Sequence, residues 1–259
     1  MEIIDSILSQ LPLFLILLFR SSGLMISAPV LSSRNIPGVL RIAITLSLAL
    51  LVFMIFPKKN EIIFLEGIPL LIVLISEIMI GLLMGYVAQL LFHAIQLAGQ
   101  SIDMQMGFGI VNVMDPQSGL QVPLIGTFKH LLAILVFLII NGHHWLLQAL
   151  LLSYDVVPIN TMSFNTQLVE GLIALTSKMF IIALQIAAPM VGVLFITDFI
   201  MGIISSTVPQ MNVFLVGMPA KILIGFFVLI IVIPLYIYLL TALFERGFKD
   251  LLQILKVLT

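Results

Sequence analysis

The chain contains no cysteine. Disulfide frameworks and thiolate chemistry are therefore excluded, and the compartment is left open. Charge is scarce too: Asp, Glu, Lys and Arg make up 9% of the 259 residues, and the formal net charge is -1. A chain so close to neutral carries no signature of a polyanionic partner, so nucleic acid is not expected. There is no HExxH, no GxSxG, no glycine loop ending in Lys-Ser/Thr and no EF-hand spacing. The acidic residues Glu77, Asp103, Asp115 and Asp198 are scattered rather than paired as acid and base. Neither an enzyme nor a cofactor is expected. His143 and His144 are the one metal-like feature, but neighbours on a helix point about 100° apart and do not readily share an ion. With Trp145 they read as an anchor at the membrane interface.

What the chain has is apolar side chains, 61% of the total, with a mean hydropathy of +1.27. A soluble domain has no use for so much apolar surface, so an integral membrane protein is expected. The first residues carry Glu2 and Asp5 where a cleaved signal would carry Lys or Arg, and the first apolar run is expected to belong to the mature protein. After an amphipathic lead-in over residues 2–11 come about six apolar segments. The first, residues 11–31, is broken at Arg20-Ser21-Ser22-Gly23. A centred arginine costs roughly 2.5 to 3.5 kcal/mol on insertion scales, so Arg20 is expected to face protein rather than lipid. A turn with Pro29 and Pro37 leads to a run over 42–56, a turn at 57–60, and a run over 68–91 that holds Gly81 and Gly85 in a GxxxG. Glu77, one turn earlier, is open between a hydrogen bond to a neighbouring helix and a functional role.

Residues 131–140 are too few to span alone and run into Asn141-Gly142-His143-His144-Trp145, which suggests a helix that bends. Residues 153–170 are the most loop-like part of the chain and its expected division. An apolar hairpin over 172–204 and 213–244 follows, with Pro189 and Pro234 expected to kink its arms, and Asp198 expected to bond within the turn. Beyond 244 an amphipathic tail suits a membrane surface or a partner groove. Lys58, Lys59 and the tail charges, weighed against Arg34, Arg41 and Lys129, favour cytoplasmic termini by a small margin.

The chain is organised around residues 99–119, GQSIDMQMGFGIVNVMDPQSG, a polar and glycine-rich interruption between apolar runs. Irregular backbone cannot lie against lipid, because its unpaired N–H and C=O groups would cost several kcal/mol each, as an order of magnitude. Its Met, Phe, Ile and Val residues are too apolar for an ordinary exposed loop. It reads as a loop buried at the centre of an assembly, lining or closing a passage. A stand-alone secondary transporter of a small solute is the alternative. Two polar, Gly/Pro-interrupted stretches, residues 106–119 and 202–221, both hold a Pro-Gln pair, and broken helices of this kind mark binding sites in secondary transporters. Their flanks differ in length, however, and coupling carboxylates are few.

Arg20 with Pro29 and Pro37, the GxxxG at Gly81 and Gly85, IDMQMGFG followed by Asp115-Pro116, then NGHHW and VPQMNVFLVGMPAKI at 208–222 together resemble the FliR/SctT family of the bacterial type III export apparatus. The resemblance covers essentially the whole chain. It implies an all-α integral membrane protein of kinked helices and helical hairpins. Residues 1–165 would form a FliP-like part with a central plug loop at about 104–119, and residues 166–259 a FliQ-like hairpin and amphipathic tail. It further implies a place beside FliP and FliQ homologues in a hetero-oligomeric flagellar export gate of the bacterial inner membrane and flagellar basal body. FlhB and FlhA homologues and exported flagellar proteins would be further partners. Mapped onto this chain, the pore plug falls on Gln105, Met106, Gly107, Phe108, Gly109, Ile110, Val111, Asn112, Val113 and Met114. Helix and partner contacts fall on Arg20, Gly81, Gly85, Asp115, Pro116, Pro209, Gln210, Asn212, Phe214, Gly217, Pro219 and Lys221. Ser206 stands where many relatives have Arg, so a contact that depends on charge at that position is not carried over.

Overall fold

The computed structural model describes residues 2–33, 36–55, 67–108, 123–163, 165–208, 210 and 212–258, which are helical apart from turns and short irregular links. The helices are α1 (Glu2–Ser27), α2 (Gly38–Ile55), α3 (Ile68–Met106), α4 (Leu124–Ile139), α5 (Gly142–Val156), α6 (Thr166–Thr207) and α7 (Val213–Val257). Five of them are long and apolar enough to cross a membrane, or six spans if the bent pair α4 and α5 is taken as one. The all-α membrane fold expected from the apolar runs is what the chain forms.

The boundaries differ from those the residues suggested. Arg20 does not break α1, because its charge is satisfied inside the protein and the backbone ladder runs on to Ser27. α3 continues to Met106, so Gln105 and Met106 belong to a helix and not to the loop. Residues 153–156 are the last turn of α5, and α6 begins at Thr166, which shortens the expected loop. The expected bend near residue 140 is present: Asn141 takes a left-handed conformation with φ 58, which no continuing helix can accommodate. Pro189 and Pro234 lie within α6 and α7.

The chain forms two compact units. The first comprises Met1–Leu90, Asn141–Leu175 and Arg246–Thr259; the second comprises Leu91–Ile140 and Thr176–Glu245. In the first, α1 packs against α2, with Phe14 edge-on to Phe53 at 6.0 Å. Ile16, Val73 and Leu74 form a small core over which Phe19 and Ile159 close. The amphipathic tail is not free: Leu251, Leu255 and Leu258 are buried. Asn165 Nδ2 donates to the Val257 carbonyl at 3.0 Å, and Trp145 lies 5.8 Å from Phe248. The apolar face of the tail is thus spent on its own unit rather than on a membrane surface. The second unit is centred on Phe92, Phe137 and Phe244, whose ring centroids lie 5.3 to 5.6 Å apart. Lys129 is buried there, its ammonium 4.6 Å from the ring of Tyr236, so it is no surface charge to weigh in setting orientation.

Candidate functional site where the end of α3 meets the start of α4

The residues that the loop reading singled out are held by three arrangements in the second unit. The first ends α3. Gly107 adopts φ +93, the Gly107 N–H donates to the Met104 carbonyl at 3.2 Å and the Phe108 N–H to the Asp103 carbonyl at 3.1 Å. This pair of bonds around a left-handed glycine is a Schellman stop, which a residue with a side chain would adopt only under strain. It fixes the direction in which the chain leaves α3.

The second arrangement joins the end of α3 to the start of α4. Asp103, in the last turn of α3, accepts hydrogen bonds from the Ile125 and Gly126 N–H groups, both at 2.9 Å. Those are orphan donors of the first turn of α4, whose N-cap residue Pro123 provides no side-chain cap. A carboxylate from another helix therefore does the capping, and it sits where the helix dipole favours negative charge. Gly99 and Gly126 let the backbones meet, since a Cβ on Gly99 would lie 2.9 Å from the Gly126 nitrogen. The end of α3 and the start of α4 are thus held together at one closed point.

The third arrangement seats the last turn of α3 on the α6–α7 hairpin. Met106 is fully buried in a slot opposite Gly225, where an added Cβ would come within 2.9 Å of its sulfur. Gln105 Nε2 donates to Asp198 Oδ2 at 2.9 Å, and the other Asp198 oxygen pairs with the Lys221 ammonium. Asp198 therefore does not close its own turn; it joins α6 to α3 and α7. Its role was missed because its partners are distant along the chain. Phe108 is half-buried. Gly109, Ile110, Val111, Asn112, Val113, Met114, Asp115, Pro116 and Pro209 lie outside the described residues, as does the side chain of Phe214. Of the remaining hairpin residues, Gly217 lies near Met201, while Gln210 and Asn212 flank the turn, where Asn212 Oδ1 accepts weakly from the Leu215 N–H at 3.3 Å. Pro219 is inside α7.

Arg20, Gly81 and Gly85 belong to the first unit and find their contacts within this chain. Arg20 Nε donates to Glu77 Oε2 at 2.5 Å, Nη1 to Ser153 Oγ at 3.1 Å and Nη2 to the Val157 carbonyl at 3.0 Å. The guanidinium also lies 4.2 Å from the centre of the Tyr154 ring. Arg20 and Glu77 are both fully buried, so Glu77 serves as an ion-pair partner between helices. The GxxxG is used: Gly81 faces Gly23 of α1, and Gly85 faces Ser27 and Ala28, so closely that a Cβ on any of these glycines would collide with backbone or with Ser27 Oγ. Among the described residues no cluster of three metal-ligating side chains occurs.

Taken together, five helices among the described residues that are fit to span lipid, or six spans with the bent pair α4 and α5 taken as one, define a multi-pass integral membrane protein. Its family is given by comparison with known proteins: the model for bacterial export proteins, family 1, matches residues 11–247, and the chain belongs to that family. The flagellar biosynthetic protein FliR of Bacillus subtilis is 39% identical over 230 residues, 88% of either chain. FliR of Escherichia coli K12 is 28% identical over 97% of this chain and 95% of its own. The Yop proteins translocation protein T of Yersinia pestis is 31% identical over 88% of each. Membership of an export family makes the chain a transport component.

Proposed function

We propose that this chain is a subunit of the flagellar type III protein export gate of the bacterial inner membrane. It assembles with FliP and FliQ homologues, in contact with FlhB and FlhA homologues, around the passage taken by unfolded flagellar subunits. Residues 105–114 close that passage, with Gln105 and Met106 as the anchored helical base of the plug. In this reading residues 1–165 are the FliP-like part and residues 166–259 the FliQ-like hairpin and tail.

The observation that carries the reading is the clamped loop root. A plug has to be anchored firmly at its base and free to rearrange beyond it, and Asp103, Gly107 and Met106 supply the anchoring. Beyond them the sequence FGIVNVM combines glycine with soft apolar side chains, which seal against ions without a rigid shape requirement.

Helix length favours partner subunits. α6 and α7 have 42 and 45 residues, about 60 Å and more at 1.5 Å per residue, roughly twice the hydrocarbon thickness of a bilayer. Apolar side chains such as Leu184, Phe199, Leu223 and Tyr238 stand exposed along them, at 68% to 76% exposure. Lipid alone covers that much length only at extreme tilt, whereas sister hairpins cover it directly.

The test is removal of residues 109–113, which spares the clamps. Cells carrying that deletion should still assemble the gate but leak small ions. An intact gate with a membrane as tight as in the parent strain would refute the plug. Purification of the chain as a stable monomer, stabilised by a small solute, would refute the gate and favour the transporter.

A further inference from the structure

We propose that the groove between α1 and α2 binds an anionic phospholipid, with Arg41 on its headgroup phosphate and an acyl chain along the groove. The groove has a volume of about 300 Å³ and is lined by Phe19, Ser22 and Ile26 of α1 and by Arg41, Ile42 and Leu46 of α2. That is the small end of the range for ligand pockets and suits one slender apolar chain better than a folded ligand.

Charge and depth identify the occupant. α2 has 18 residues and so is about 27 Å long, just enough to cross the hydrocarbon core. Arg41 is in its first turn, so it sits at the level of the lipid phosphates when α2 spans. Its Nη2 donates to the Ser32 and Ser33 carbonyls at 3.3 and 2.9 Å, which holds the guanidinium at the mouth of the groove. Nε is shielded from solvent and has no partner, and among the described residues no carboxylate pairs with Arg41. A buried N–H without an acceptor is costly, and a phosphate oxygen is the acceptor that a guanidinium matches in geometry and charge.

The walls of the groove argue for a lipid rather than free phosphate. Ile26, Ile42 and Leu46 stand 40% to 63% exposed beside Arg41, and only 17% of α2 is buried within the chain. An inorganic ion would leave that surface uncovered, while a phospholipid satisfies cation and apolar wall together.

Native mass spectrometry of the full chain, extracted with its co-assembled subunits into nanodiscs of phosphatidylglycerol or phosphatidylcholine, tests this. The parent protein should retain phosphatidylglycerol in preference to phosphatidylcholine. Arg41→Gln should cut that preference about fivefold, the worth of one interfacial cation, and Arg41→Lys should keep most of it. Ser22→Phe, which fills the groove, should lower retention of both lipids. Equal retention of the two lipids by the parent, or full retention of phosphatidylglycerol by Arg41→Gln, would overturn the proposal. So would displacement of the lipid by millimolar inorganic phosphate. A benzophenone amino acid in place of Ile42 should capture lipid; capture of a protein chain instead would assign the groove to a partner helix and overturn the lipid.

Discussion

Replacing Asp103 by alanine should loosen the joint between the end of α3 and the start of α4 without altering residues 109–122. The carboxylate is 5% exposed and accepts from two backbone N–H groups at 2.9 Å. Hydrogen bonds to a charged group contribute roughly 1.5 to 3 kcal/mol each, and both donors belong to a helix start that has no other side-chain cap. The two are not additive, because truncation lets water reach part of the helix end. A combined loss of about 2 to 4 kcal/mol is therefore expected, which raises the population with a detached root by roughly 30- to 1,000-fold. Asp103→Asn keeps one acceptor oxygen and should fall between the parent and the alanine variant. Two assays read the effect: small-ion flux across membranes of cells producing the full gate, and the rate of proteolysis within residues 109–122. If Asp103→Ala leaves both at the parent level in a correctly assembled gate, the clamp does not hold the loop, and the reasoning from the root to the seal fails.

Two further outcomes concern stability. Glu77→Ala strands a fully buried guanidinium and should cost the assembled protein about 3 to 5 kcal/mol in thermal denaturation, whereas the pair Arg20→Met with Glu77→Leu should recover most of that loss; additive single and double effects would contradict a coupled pair. Gly225→Ala should drive Met106 from its slot, since the new Cβ would lie 2.9 Å from Sδ and 3.0 Å from Cγ, at a cost of about 1 to 3 kcal/mol. Met106→Ala in the same chain should relieve the clash, and a neutral Gly225→Ala would show the slot to be loose.

Much of this architecture was legible along the chain. The apolar runs mark the helices, Asn141 and its neighbours mark the bend, and Gly81 with Gly85 marks a close crossing that α1 fills with Gly23. Gly107, expected within the plug, proves to be the left-handed stop of α3. Boundaries were misjudged where polarity was taken for loop. Gln105 carries a polar side chain on a helix because Asp198 accepts its hydrogen bond, and Ser153 stays within the last turns of α5 because its hydroxyl accepts from Arg20. A polar residue whose partner lies far along the chain has the same composition as one in a turn, so the polarity of a segment does not separate the two. The tail misled in the opposite sense: its amphipathic pattern is real, but the surface it covers belongs to its own unit.

Composition and periodicity by themselves determined that this is an all-helical membrane protein with a polar interruption near residue 110, and motif order determined its family. Transfer from water accumulates residue by residue and helical spacing is local, so neither needs coordinates. Only the tertiary structure decided that Asp103 caps α4, that Asp198 is shared between Gln105 and Lys221, and that Arg20 is neutralised by Glu77 within the chain. Those are contacts between residues 22 to 93 positions apart, and their energies depend on separation in space, about which distance along the sequence says nothing.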